Sequence, residues 1–224
     1  MKKLYIVSLT LTTFGLASNV CAFDVAVGAK VSTLGVGIDF TTPLTEKLNL
    51  RAGIQGFEYR VDVESDGVDY DDADLELFSG LMVADWYPFG GVFRITGGVL
   101  INDNKVSGTG KPAPGIVPTF TVNDNVYNAN NNDKLDAEIS YNAVAPYFGI
   151  GWGNPVRKES NWFFFCDIGV VFMGSPDVAV SASGPLANNA VFIADLEEER
   201  KDLEDDLDSY KYYPVISLGL NYKF

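Results

Sequence analysis

The chain has 224 residues, a formal charge of −14 and no histidine. Such acidity excludes nucleic acid as a partner. The missing imidazole removes the usual general base of serine or cysteine hydrolysis and the commonest neutral metal ligand, so no catalytic residue, no metal centre and no enzymatic activity are expected.

The first 22 residues, MKKLYIVSLTLTTFGLASNVCA, have two lysines, an apolar run and small residues ahead of Phe23, the layout of a secretory signal peptide. Ser18-Asn19-Val20 is a poor approach to an acylated Cys21, so ordinary cleavage is expected. It takes Lys2 and Lys3 with it, moving the charge from −14 to −16. What remains, 23–224, is the size of one domain. It keeps a single cysteine, Cys166, so no intramolecular disulfide can form, and an outward parity in its strand makes it an apolar filler. The longest apolar stretch after the signal, WFFFCDIGVVFMG at 162–174, is too short for a membrane helix and carries Asp167.

Alternation with period two recurs along the chain instead. Val25, Val27, Ala29 and Val31 share one face against Asp24, Gly28, Lys30 and Ser32. Leu34, Val36, Ile38 and Phe40 share one against Gly35, Gly37, Asp39 and Thr41. Further strands are expected at 48–63, 75–87, 92–106, 137–152, 162–175 and 211–224, making eight. In the last, Ile216, Leu218, Leu220, Tyr222 and Phe224 oppose Val215, Ser217, Gly219, Asn221 and Lys223. Two strands break parity, one between Ile54 and Phe57, the other between Ala143 and Val144, and a bulge or an exit from the membrane is expected at each.

The connections at 42–48, 88–92 and 154–161 are short and rich in turn residues, and 32–35 is a tight hairpin. Those at 64–74, 107–136 and 176–210 are long and polar. Short turns at one end and long loops at the other define the expected fold, an all-β, eight-stranded antiparallel up-and-down transmembrane β-barrel in the bacterial outer membrane. Trp86, Tyr87, Trp152, Trp162, Tyr222 and Phe224 all fall at the short-turn rim, where an aromatic girdle meets the bilayer interface.

Opposite parity lines the interior. Asp39, Arg51, Asp85, Arg94, Asp167 and Lys223 lie near the periplasmic turns and are expected to form one charged layer there. Two outcomes stay open: inward glycines at 28, 35, 37, 149 and 151 leave room for a narrow path, whereas eight strands enclose little more than their own side chains. The expected function is correspondingly a low-conductance channel for small, cationic solutes, or a non-conducting barrel whose acidic loops bind lipopolysaccharide, divalent cations or a partner.

The loop DVESDGVDYDDADLE at 62–76 begins like a calcium loop, with Asp62, Glu64, Asp66 and Gly67, but has Ala73 where a bidentate Glu is required. It is expected to be a solvated acidic loop and no cofactor is expected, with loose calcium or magnesium binding by 62–76 as the alternative. At 188–211 one acidic helix is expected in the last external loop, capped by Asn188 or Asn189, with an apolar stripe of Ile193, Leu196, Leu203, Leu207 and Tyr210 and a Glu197–Lys201 pair. The stripe is expected to lie on the barrel mouth as a lid, or to bind a partner.

The stretches VGAKVSTLGVGIDF, SYNAVAPYFGIGWG followed by SNWFFFCDIGVVFMGSPDVAVS, and the acidic helix running into YKYYPVISLGLNYKF resemble the carbapenem-associated outer-membrane protein family of Acinetobacter-type bacteria, also described as ornithine-uptake porins. That resemblance implies an eight-stranded outer-membrane barrel and slow uptake of basic amino acids. The terminal Phe, with apolar residues at every second place before it, resembles the C-terminal signature of bacterial outer-membrane proteins. Recognition by the outer-membrane assembly machinery is what it implies.

Overall fold

The computed structural model describes residues 25–224 except 66–67, 114–116 and 157–160, and no side chain from 60 to 73. The expected signal peptide and Asp24 lie outside the described residues.

Eight strands close a cylinder. They are β1 (Ala26–Ser32), β2 (Gly35–Thr45), β3 (Leu48–Ser65), β4 (Val68–Trp86), β5 (Phe93–Asn102), β10 (Val144–Trp152), β11 (Trp162–Phe172) and β13 (Tyr212–Lys223). Each is antiparallel to its neighbours, and the ring runs β1-β2-β3-β4-β5-β10-β11-β13 before β13 returns to β1 from Ala26↔Lys223 to Ser32↔Ser217. Closure leaves every wall strand with a partner on both sides, which is what lets backbone cross hydrocarbon. Among the described residues no helix is long and apolar enough to do so.

The outward faces are apolar all round, with Phe40, Ile54, Met82, Val99, Phe164, Ile168, Ile216 and Leu218 among the exposed side chains. A continuous band of this kind is stable only against lipid. On β11 the exposed aromatics Trp162 and Phe172 bound it. Ten residues at about 3.3 Å each, tilted by about 40°, span about 25 Å, the height of the apolar belt of outer-membrane barrels.

Three of the expected loops are structured. The segment 64–74 is no loop, because β3 and β4 continue as one hairpin, paired up to Ser65↔Val68. The strand expected at 92–106 ends at Asn102. After Asp103 and Asn104 the chain starts β6 (Lys105–Pro112), which takes over as neighbour of the upper half of β4. The segment 107–136 holds most of β6, then the hairpin β7 (Thr119–Val122) and β8 (Asn125–Asn128), and the start of β9 (Lys134–Ser140). The strand expected at 137–152 is likewise two, because β9 pairs with β6 and β12 (Asp177–Ser183) while β10 returns to the barrel wall.

The parity breaks are explained by these departures. Pairing of β3 with β4 runs without a shift from Leu48↔Trp86 to Val61↔Ala73, so no bulge lies between Ile54 and Phe57. The last partner of β3 on β2 is Gly56↔Val36, and Phe57 is the first residue above that rim. Below the rim the apolar side faces lipid; above it the apolar residues are Phe57 and Tyr59, which stack on each other and stay half exposed, apart from a second core that forms without β3.

That second core belongs to a unit at the long-loop end of the cylinder. Leu135, Val180 and Ala182 of the β9–β12 sheet, Phe120, Val122 and Tyr127 of the β7–β8 hairpin, and Phe192 and Leu196 of helix α1 (Ala190–Leu207) pack together. The hairpin turns on Asn123 and Asp124 at φ 48 and 59, the left-handed pair that matches the twist of flanking strands. Asn189 caps α1, its Oδ1 accepting from the Val191 and Phe192 amides at 3.0 and 3.3 Å.

Candidate functional site

The barrel interior is filled in two storeys. At the storey nearest the short turns Asp39, Arg51, Asp85, Arg94 and Asp167 come together with Lys30, all buried. Arg51 is the hub. Its Nε and Nη2 donate to both oxygens of Asp85 at 2.9 and 3.0 Å, and its Nη1 donates to Asp167 Oδ2 at 2.8 Å. Arg94 donates through Nη2 to Asp167 Oδ1 at 2.7 Å and through Nη1 to the Gly153 carbonyl. Lys30 Nζ donates to Asp39 Oδ1 at 2.7 Å, and Asp39 Oδ2 stands 3.6 Å from Arg51. Three cations meet three carboxylates, so the layer is neutral and offers no net attraction to an ion of either sign.

Bidentate guanidinium pairs of this kind are the strongest hydrogen bonds a protein makes, and in a low dielectric they hold only as a complete set. Thr96 completes this one, donating from Oγ1 to Asp85 Oδ1 at 2.7 Å. The expected six-residue layer contained neither Lys30 nor Thr96. Lys223, its sixth expected member, instead donates to the Val156 carbonyl at 3.1 Å, closer to the β10–β11 turn.

Above the charges the lumen turns apolar. Leu34, Leu81, Val83, Leu100, Tyr147, Val171, Met173 and Val215 form one buried cluster, joined by Tyr141 and Tyr213. Between the storeys lies a cavity of about 10 Å³, lined by Lys30, Arg51, Gln55, Tyr147 and Asp167 among others, room for about one water molecule. The inward glycines do not leave free space. The place of a Gly151 side chain is taken by Asp167 and Arg94, that of Gly28 by Asn221, and Tyr147 lies over Gly149 and Gly169.

Of the expected girdle, Trp86, Trp152, Trp162 and Phe224 are exposed at the short-turn rim, and Trp162, Tyr222 and Phe224 stack edge to face with centroids 4.9 and 5.0 Å apart. Tyr87 is a correction. It is buried inside, its hydroxyl donating to the Gly153 carbonyl at 3.2 Å, because consecutive strand residues face opposite sides and Trp86 already faces lipid.

The helix is clamped to the outer sheet and the β7–β8 hairpin. It packs on β12 and β7, burying Phe192 and Leu196 while Ile193 and Leu203 of the expected stripe stay exposed. Asp195 accepts from Asn125 Nδ2 at 2.7 Å and from the Tyr127 hydroxyl, while Glu199 and Glu198 accept from the Asn123 amide and side chain, each at 2.9 Å. Arg200 bridges Glu197 and Glu204 at 2.9 and 2.7 Å and reaches the Val178 carbonyl of β12. These bonds leave their mark on acidity. The hydrogen bond to Asp195 raises Tyr127, the Arg200 bond lowers Glu197, and bonds from Lys211 and then Ser175 lower Asp208. Most side chains of the acidic 62–76 segment lie outside the described residues, and among the described ones no acids and cysteines are grouped to hold a metal ion.

A closed antiparallel cylinder with an apolar exterior, an ion-paired interior and aromatic rims is a transmembrane barrel of the outer-membrane type. Within that class its fold is similar to that of CarO from Acinetobacter baumannii. The CarO2 crystal structure matches at a TM-score of 0.58 with 22% identity, covering 90% of this chain and 99% of that one. A CarO crystal structure matches at 0.55 with 25% identity, over 89% and 97%. A major outer membrane protein of Thermus thermophilus aligns at 0.41 with 14% identity, over 91% and 100%. No protein-family model and no curated protein sequence matches the chain.

Proposed function

We propose that this chain is a bacterial outer-membrane barrel whose cylinder is a closed anchor and whose external sheet and helix are the working surface. The observation that carries this reading is the double seal of the lumen, a neutral ion-pair layer beneath an apolar plug with room for about one water between them. A path for ions would require Arg51, Arg94 and Asp167 to part in a low dielectric, and eight strands leave no width to pass around them. Of the two functions expected from the sequence, the non-conducting surface barrel is therefore preferred to the narrow cation channel.

The working chemistry is that of carboxylates. Asp202, Asp205 and Asp206 stand exposed on α1, and acids held outside a membrane bind lipopolysaccharide phosphates through shared calcium or magnesium. β13, which closes the ring on β1, is the segment offered to the assembly machinery. The test is binding of the refolded protein to lipopolysaccharide micelles as magnesium is added and then chelated. Magnesium-dependent binding that falls in the triple variant Asp202→Asn, Asp205→Asn, Asp206→Asn supports the surface role. Binding indifferent to both magnesium and the variant contradicts it.

A further inference from the structure

The barrel wall is not closed equally along all its seams. β10 pairs with β5 over its whole length, from Val144↔Ile101 to Trp152↔Phe93. Its register with β11 begins only at Tyr147↔Val171, so Val144, Ala145 and Pro146 have no registered partner on that side. The cause is in the sequence. The Gly153 amide donates to the Val92 carbonyl at 2.9 Å, which aims the odd-numbered amides of β10 at β5 and leaves the even positions to serve β11. Pro146 is an even position and has no N–H to give. Above it Asn142 Nδ2 donates to the Met173 carbonyl at 3.0 Å, a side-chain bond outside the strand ladder.

What closes this stretch is therefore side-chain packing. Ala145 and Met173 are buried on its inner side, in or beside the apolar upper storey, and Val144 and Phe172 are exposed on its outer side. Apart from the Phe172 amide, which the Tyr147↔Val171 pair turns toward the Pro146 carbonyl, this stretch of wall has no registered backbone pairing, and apolar side chains face each other across it. The charged storey beneath bars onward passage, and neither Ala145 nor Met173 offers a charge to hold a headgroup.

We propose that the upper end of the β10–β11 seam is a lateral opening through which uncharged apolar molecules dissolved in the outer half of the bilayer reach the apolar upper lumen. This rests on the placement of the barrel in a membrane with its long strands outward, and it goes beyond the surface role.

The test uses the full barrel refolded in phosphatidylcholine vesicles, with Cys166→Ala as background and a single cysteine at Ala145→Cys or at Leu100→Cys. These two positions pair with each other at one height and both are buried, but Leu100 lies between continuous ladders to β4 and β10. A membrane-partitioning pyrene maleimide is expected to label position 145 about tenfold faster than position 100, the mark of local opening at one seam. Pro146→Ala, which restores the missing donor, should bring labelling at 145 down to the rate at 100. Met173→Cys replaces the probe if Ala145→Cys does not fold. Equal rates at the two positions, no effect of Pro146→Ala, or equally fast labelling by a water-soluble maleimide, which would mean entry through the mouth, each overturn the opening. Heat-modifiable migration on a gel reports folding separately, so a chain that never becomes a barrel counts against the membrane placement and not merely against the seam.

Discussion

Asp167 concentrates the chemistry of the interior in one carboxylate, since it holds Arg51 at 2.8 Å and Arg94 at 2.7 Å. Removing one partner of a buried ion pair leaves an uncompensated charge, which costs about 3–5 kcal/mol. Asp167→Ala should therefore lower the unfolding free energy of the barrel by that amount in a urea titration from vesicles, whereas Asp202→Asn on the exposed face of α1 should leave it unchanged. Strand alternation was enough to put Asp39, Arg51, Asp85, Arg94 and Asp167 on one side of their strands. It did not say which carboxylate meets which guanidinium, because partner choice depends on the register between strands such as Gly151↔Asp167 and Gly151↔Arg94, a property of the closed cylinder. Tyr87 is instructive in the other direction. The alternation that turns Asp85 inward turns Tyr87 inward too, and only the general preference of aromatics for rims argued otherwise.

At the scale of elements, α1 is held by Phe192 and Leu196 beneath it and by carboxylates along its sides. Phe192→Ala removes a ring wholly buried against Phe120 and Tyr127 and should weaken docking by about 3–5 kcal/mol. Limited proteolysis would read this as cleavage confined to 174–211, with the barrel still heat-modifiable. Docking should also have two pH limits. Glu197 and Asp208 are lowered in the folded state, so their contribution is full above the ordinary carboxylate range near pH 4 and is lost as pH falls below it. Tyr127 is raised, so its contribution is full below about pH 10 and is lost as pH climbs through its higher folded value. Hydrogen exchange of α1 amides across pH would show protection failing at both ends; protection constant from acid to base would contradict the clamp. The helix and its Asn189 cap were legible from local signals. The strands within 107–136 were not, because β6 and β9 are half apolar only against neighbours far along the chain, and the Asn123-Asp124 turn carries no glycine to announce it.

For the molecule as a whole, the eight-stranded barrel was legible because lipid on one side imposes the same alternation on every wall strand. The state of the lumen was not, because glycines that look like gaps in one dimension are the places where Asn221, Asp167 and Tyr147 fold over a neighbouring strand. The central claim is that these side chains close the cylinder to ions. The most direct test is the conductance of the refolded, heat-modifiable barrel in a planar bilayer, with potassium and then lysine as current carrier. The structure predicts a silent membrane with either ion. Discrete cation-selective steps, diminished when Asp39, Asp85 and Asp167 are neutralised, would contradict it.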